Sequence, residues 1–472
     1  MEYKNIRLSD FANINMGQSP KSEFYNYEGQ GLPFLQGNRT FGSLFPTFDT
    51  YTTNPTKVAE PNDIIMSVRA PVGDLNIAPT KLCLGRGVCS LRAKNNNQKF
   101  LFYLMKHYVK QLINRESGTV FGSVNRDDIA NLEISIPEES VQHKIAAVLS
   151  SLDTKIELNT AINNNLEQQA MALFKAWFVD FEHCQSEPFK DSEIGKIPSS
   201  YKVYHLKDFL PVITGKKNAN VSSDKGKYPF FSCSQTIAWT DDYSFDGDAI
   251  LVAGNGDFNV KFYKGKFEAY QRTYVLIPYE PKYTAWLYYA VKHNLHNITS
   301  AARGSVISFI TKGNLEDFAF AAPEDLASAS IIETFSSINK IIDANIRENY
   351  NLEAVRDTLL PKLMSGEIDV SKVDISDPGC LDKSLFIMVL DKFEKMVFIL
   401  YNSKKRNSYV QNIKIRLCFR NKMSECVMVQ EVPQRVTAGN EPGSAGSWNR
   451  NRNTCPEQIS WWSRHQCYAM GL

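Results

Sequence analysis

A chain of 472 residues, 43% hydrophobic and 22% charged, holds enough material for two or three domains, each with its own core. Its net charge of +2 comes from the end: residues 380–472 carry 14 Lys and Arg against 7 Asp and Glu, leaving 39 against 44 in residues 1–379. A slightly acidic body excludes a uniformly basic surface, so a polyanion would have to meet basic groups gathered on one face of a domain. No apolar run approaches the roughly 20 residues that span a bilayer, and the opening MEYKNIRLSD lacks the apolar core of a signal peptide. Nine cysteines without a CxxC pair or a His-Cys cluster at zinc spacing read as scattered reduced thiols, so a cytoplasmic protein with no membrane partner and no metal is expected.

In chain order, residues 1–140 are rich in Gly, Pro, Asn and aromatics. Short β-like runs such as Asp63-Ile64-Ile65-Met66-Ser67-Val68 alternate with loops, and one helical stretch, KFLFYLMKHYVKQLI over 99–113, interrupts them. The mixture predicts a compact α/β head. A helical strut is expected over 141–182, a linker over 183–200 and a second head over 201–326. That head opens with Leu206, Asp208 and Phe209, which echo Leu8, Asp10 and Phe11. It has its own β-like run, Asp248-Ala249-Ile250-Leu251-Val252, and its own aromatic helix, TAWLYYAVKHNL over 284–295. A second strut follows over 327–367. Residues 368–472 are an atypical tail, disordered or read-through, that matches neither half; the part from 380 holds five of the nine cysteines.

The two halves are one pattern written twice, about 186 residues apart. GTVFGSVNRDDIANLEISIPEES over 118–140 corresponds to GSVISFITKGNLEDFAFAAPEDL over 304–326, with Pro137 on Pro323. Past the prolines, Ile145, Leu149, Leu152, Ile156, Asn159, Asn163 and Leu166 meet Ile331, Phe335, Ile338, Ile342, Asn345, Asn349 and Leu352 without a gap. Seam positions advance by alternating steps of four and three, from Ile145 to Trp177 and from Ile331 to Leu363, which is the spacing of a coiled coil. Each seam holds two Asn at its centre. A buried Asn costs free energy unless it meets another polar group, and so it fixes register. Antiparallel pairing about that centre sets Asn159 against the layer of Asn349, and Asn163 against that of Asn345. The plainer alternative keeps each helix on its own head with the asparagines in water. The expected fold is therefore mixed α/β: two similar α/β heads, each followed by a long helix, the helices pairing as an antiparallel coiled coil.

Catalytic motifs are missing. The sequence has no GxxxxGK[ST] phosphate loop, no HExxH, no GxSxG and no Asn/Asp-Pro-Pro-aromatic tetrapeptide. Gly254-Asn255-Gly256 reads as a tight turn. These absences predict a binding protein with no catalytic residue.

Four segments, VQHKIAAVLSSLDTKIELN (141–159), LFKAWFVDFE (173–182), IPSSYKVYHLKDF (197–209) and LLPKLMSGEIDVS (359–371), together resemble the specificity subunit of type I restriction–modification systems. The resemblance covers about residues 1–371. It implies that each head is a target-recognition domain reading one half of a bipartite, asymmetric site in double-stranded DNA. It implies that the helices set the gap between half-sites and dock two modification (methyltransferase) subunits, which recruit the restriction (motor and nuclease) subunits. It also implies that this chain binds no cofactor, with S-adenosylmethionine, Mg2+ and ATP held by partner subunits. Thirty-three residues of helix make a ruler of roughly 50 Å, somewhat more than one turn of B-DNA. The tail has no counterpart in the family's pattern; it reads as a basic arm on DNA phosphate or, preferably, as sequence past the natural end of a conserved gene.

Base readout needs Arg, Lys, Asn, Gln and Ser side chains at groove edges. In the first head, Gln36, Asn38 and Arg39 occupy a loop between glycines, and Arg69 and Arg86 flank β-like runs. In the second, Lys216, Lys217, Asn218 and Asn220 share one loop, Ser234 and Gln235 lie in another, and Arg303 precedes the repeated Gly. Arg272 falls on Arg86 when the halves are overlaid. Arg69, Arg86 and Arg272 fit structural ion pairs equally well, and Gln18 and Ser19 fit a turn cap at Pro20 as well as a base contact. The competing function is a coiled-coil scaffold or inhibitor whose heads bind protein. A weaker third is a read-through or recombined allele that folds without assembling.

Overall fold

A computed structural model describes residues 2–113, 122–223, 226–300, 309–326 and 329–372; the tail beyond 372, and Arg303, lie outside them.

Each head is closed by a clasp between its first and last strands. Tyr3–Arg7 pairs antiparallel with Glu133–Pro137, Tyr3 opposite Pro137. Tyr201–His205 pairs in the same way with Ala319–Pro323, Tyr201 opposite Pro323. The two prolines of the repeat thus end equivalent strands, and each strand runs into a strut. Inside the first head, Ala12–Met16, Val88–Ala93, Ile64–Ser67 and Leu75–Ile77 form an antiparallel sheet in that order. A second sheet joins Leu32–Leu35 in parallel to Leu82–Leu84. The second head builds one six-stranded sheet, ordered Val212–Thr214, Thr273–Leu276, Phe245–Ala253, Val260–Ala269, Tyr228–Phe231 and Ala238–Thr240.

Unbroken apolar runs become strands covered on both faces, as in Ile64–Ser67, all of whose residues are buried. The helix Gln98–Ile113 buries Phe100, Leu101, Leu104 and Met105 against the first head's core. Thr284–His293 does the same in the second head, where fully buried Trp286 packs its ring 5.4–5.6 Å from those of Phe178, Phe209 and Phe320.

The struts are helices of 40 residues, Glu139–Phe178, and 35 residues, Ser330–Met364. They lie antiparallel. Asn159 Nδ2 donates to Asn349 Oδ1 at 2.9 Å, and Asn345 Nδ2 donates to Asn163 Oδ1 at 2.8 Å. Each strut leaves its own head and ends in the core of the other. Ala170, Phe174 and Phe178 are buried in the second head's cluster, while Leu359, Leu360, Leu363, Met364 and then Val370 are buried in the first head's. Near its end the first strut departs from the seam read off the sequence: Phe174 and Phe178 are buried, whereas Leu173 and Trp177 are only half-buried. A helix of 3.6 residues per turn drifts about 20° per heptad from a 3.5-residue seam, so the buried face advances by one residue as the strut passes from its partner to the head.

Two related polar clusters tie helices together. Tyr103 donates to Asp153 Oδ2 at 2.5 Å, and Arg356 Nη1 reaches Asp153 Oδ1 at 2.6 Å. Burial pushes the Tyr103 hydroxyl far above its ordinary range, so it stays a protonated donor. The matching positions in the other half are Tyr289, which donates to Asn339 Oδ1 at 2.8 Å, and Ala170, which stands where Arg356 stands.

Candidate nucleic-acid interface

In the first head the candidate residues converge. A cleft of about 540 Å³ is lined by Gln36, Asn38, Arg69 and Arg86, together with Ser19 and Tyr25. Gln36 and Asn38 follow the strand Leu32–Leu35, and Arg69 follows Ile64–Ser67. Arg86 sits in the turn between Leu82–Leu84 and Val88–Ala93. Strands held at their ends thus deliver four polar side chains to one place. Three close approaches keep the loops together: Gly85 N donates to Leu35 O at 2.7 Å, Gly87 N to Gln36 O at 3.0 Å, and Val68 N to Gly87 O at 2.9 Å. A Cβ on Gly85 would stand 2.7 Å from Gln36 Cα, so the site needs glycine there.

Arg69 and Arg86 are exposed, and among the described residues no carboxylate pairs with either. Two neighbours are engaged. Asn38 Nδ2 donates to Asp74 at 2.6 Å, and Arg39 forms a 2.5 Å ion pair with Asp49, whose carboxyl that hydrogen bond holds below its usual range. Arg39 therefore stands just outside the cleft, in a neighbouring recess with Asp49. Ser19 Oγ accepts from Arg86 N at 3.2 Å, so Ser19 holds the Arg86 turn.

The second head repeats this frame. Gly215 N donates to Thr273 O as Gly17 N does to Val88 O. Tyr270 N donates to Phe231 O as Gly85 N does to Leu35 O, and Gly254 N to Arg272 O as Val68 N does to Gly87 O. The isolated bridges Arg69–Ser123 and Asn255–Phe309 also correspond. The equivalences follow: Gln36 with Ser232, Gly37 with Cys233, Asn38 with Ser234, Arg69 with Asn255, Arg86 with Gln271, and Gly87 with Arg272. The overlay that set Arg272 on Arg86 is thus one residue out. A single sequence offset does not hold through the head, because its early loops differ in length from those of the first.

Lys216, Asn218 and Asn220 are exposed, while Lys217 is half-buried and its backbone bridges to Tyr270. Ser234 and Gln235 are exposed; Gln235 donates to Asp257 at 2.8 Å, and Ser234 O accepts from Lys261 Nζ at 2.8 Å. Burial holds the Lys261 ammonium below its ordinary range, consistent with its position beneath that loop. Two residues that the sequence reading left out, Asn255 and Gln271, occupy the places of Arg69 and Arg86. Asn255 was hidden in a glycine-flanked turn. Its position emerges only from the strand register.

The family model described as "Type I restriction modification DNA specificity domain" matches residues 1–168 and again 198–353. The MjaX specificity subunit of a type I restriction enzyme from Methanocaldococcus jannaschii is 40% identical over 162 residues, which are 34% of this chain and 38% of that one. The MjaIX specificity subunit from the same organism is 25% identical over 416 residues, 78% of this chain and 94% of that one. The chain thus spans about two fifths of the first relative and nearly all of the second. Among solved structures, the S subunit of a type I restriction–modification system from M. genitalium shares 18% identity with a TM-score of 0.49, over 77% of this chain and 96% of that one. With the domain matched in both halves, the chain belongs to the type I restriction modification DNA specificity family.

Proposed function

We propose that this chain is the non-catalytic specificity subunit of a type I restriction–modification complex, acting in the cytoplasm. Residues 1–140 and 201–326 serve as two target-recognition domains, each reading half of a bipartite site in double-stranded DNA. The observation that carries this reading is a loop frame of one build in both heads, presenting different polar side chains, with two antiparallel helices between. Forty and 35 residues at about 1.5 Å each give struts of roughly 50–60 Å, against about 34–36 Å for one turn of B-DNA. That length suits two half-sites separated by a gap.

The spacer helices, taken as 141–182 and 327–367, also suit docking of two modification subunits, through which restriction subunits join. Supporting this, Leu158, Ile162 and Ile341 are 55%, 46% and 49% exposed midway along the struts. Ile162 and Ile341 lie one heptad beyond Lys155 and Glu348, which pair across the helices at 3.4 Å, so both face the same side. S-adenosylmethionine, Mg2+ and ATP belong to the partner subunits in this reading. Among the described residues no cluster of His, Cys, Asp and Glu could hold a metal, and no helix is long and apolar enough to cross a membrane.

The test is to co-express the full chain with its cognate modification subunit in a methylation-free host and map modified adenines. A single split motif with a fixed gap is expected, and exchanging residues 1–140 or 201–326 should change one half-site only. If no motif appears, the chain stopped after Ser371 is tried. Methylation recovered that way marks the tail as inhibitory; continued silence from a co-purifying complex refutes the DNA-reading function.

A further inference from the structure

We infer that the two heads are built for different bases: the first head's cleft presents arginine forks to guanine, and the second head presents side-chain amides to adenine at the equivalent positions. This rests on the DNA-reading function proposed above and deepens it.

The frame equivalences isolate what differs. Where the first head has Arg69, at the end of a central strand, the second has Asn255; where it has Arg86, in the turn, the second has Gln271. In the major groove a guanidinium fork matches the O6 and N7 acceptors of guanine. An Asn or Gln amide matches the N6 donor and N7 acceptor of adenine. Exchanging both positions together therefore changes the complement of the cleft from two acceptors to a donor and an acceptor.

The surroundings agree with that exchange. Arg69 and Arg86 share one cleft and, among the described residues, have no carboxylate partner to hold them away from it, in contrast to Arg39. In the second head, Gly37 is replaced by Cys233, whose thiol donates to Asn255 Oδ1 at 2.9 Å. That bond fixes the orientation of the Asn255 amide and leaves its NH2 for an acceptor; the carbonyl keeps a second lone pair for a donor. Cys233 is thus a positioning residue. Gln271 is exposed, and its backbone, donating to Lys217 O at 2.9 Å, anchors it beside the lysine loop. Arg272, exposed and in the place of Gly87, moves the positive charge one residue along the turn.

The test uses the full chain in complex with its modification subunit, mapping modified adenines for Arg69→Ala, Arg86→Ala, Arg86→Lys, Asn255→Ala and Gln271→Ala. The arginine variants should each relax a G·C position in one half-site, with discrimination there falling by about 5- to 150-fold. Arg86→Lys keeps the charge but not the planar fork, so it should relax the same position as Arg86→Ala to a smaller extent. The amide variants should relax an A·T position in the other half-site, and Cys233→Ala should weaken the position that Asn255→Ala removes. The inference is overturned if the arginine variants lower methylation uniformly with the motif intact, which is the behaviour of phosphate clamps, or if the relaxed pairs are of the opposite kind. Absence of any split motif from the unaltered, co-purifying complex would instead overturn the DNA-reading function itself.

Discussion

Replacing Arg356 with Ala should be among the most damaging single changes in the struts, and adding Asp153→Asn should repair most of it. The Asp153 side chain is 5% exposed and that of Arg356 14%, and their 2.6 Å contact joins the two struts beside the first head's Tyr103. Arg356→Ala strands a carboxylate in that site. Removing one partner of a buried pair costs about 3–5 kcal/mol, because the remaining charge loses its compensation. For a cooperative unit of 150–250 residues that corresponds to a melting temperature lower by roughly 6–20 °C.

The double variant has a precedent inside the same molecule. At the equivalent position Asn339 accepts from Tyr289 and Ala170 replaces the arginine, and both are buried. A neutral amide under a tyrosine beside an alanine therefore already satisfies this geometry in the second head; removing both charges together avoids the stranded carboxylate and leaves the lost arginine packing as the main cost. Urea and thermal unfolding of the full chain should show the double variant within about 1–2 kcal/mol of the parent. A single-variant cost below about 1 kcal/mol, or a double variant no better than Arg356→Ala, would refute this reading of the cluster.

Three further outcomes are expected. Converting both Asn159 and Asn349 to Leu should raise the melting temperature, since among the described residues Asn159 Oδ1 is buried without a partner and exchanging both groups for apolar ones removes that penalty; a decrease would show that the layer is net stabilising. Ile162→Glu and Ile341→Glu should abolish co-purification of the modification subunit while changing stability by no more than about 0.5 kcal/mol, as measured by pull-down and thermal melting; retained co-purification would place the docking face elsewhere. Gly215→Ala should destabilise the second head, because its Cβ would lie 2.1 Å from Ala269 O, and the matching Gly17→Ala should do the same to the first, with 2.0 Å to Gly85 O. Limited proteolysis that leaves either altered head as resistant as the parent's would contradict the need for glycine there.

The struts were legible in the sequence because helical spacing is local: a four-three alternation places Asn159 near Asn349 without any knowledge of the heads. The same locality explains what slipped. Leu173 and Trp177 continue the seam on paper, yet Phe174 and Phe178 are buried, because there the helix packs on a head whose shape the period does not encode. The cleft was partly legible. Gln36, Asn38, Arg69 and Arg86 stood out as polar residues beside β-like runs, but their convergence depends on pairing between strands distant in the chain.

The second head shows why one overlay of the halves misleads. Gly17 matches Gly215, 198 residues on, whereas Val88 matches Thr273, 185 residues on, so the early loops of the first head are longer overall. An overlay at 186, set by the struts, is right for Pro137 and Pro323 and wrong by one at Arg86. One residue in a turn decides whether the first head's arginine is matched by Arg272 or by Gln271. The two answers differ chemically: the first gives both heads a guanidinium at the same place, and the second gives each head its own donor and acceptor pattern. A duplicated scaffold whose frame hydrogen bonds persist while loop lengths and tip residues change can alter what each half reads without disturbing the helices that hold the halves apart. For that reason the frame glycines and the strut clusters should govern folding, whereas Arg69, Arg86, Asn255 and Gln271 should govern sequence preference.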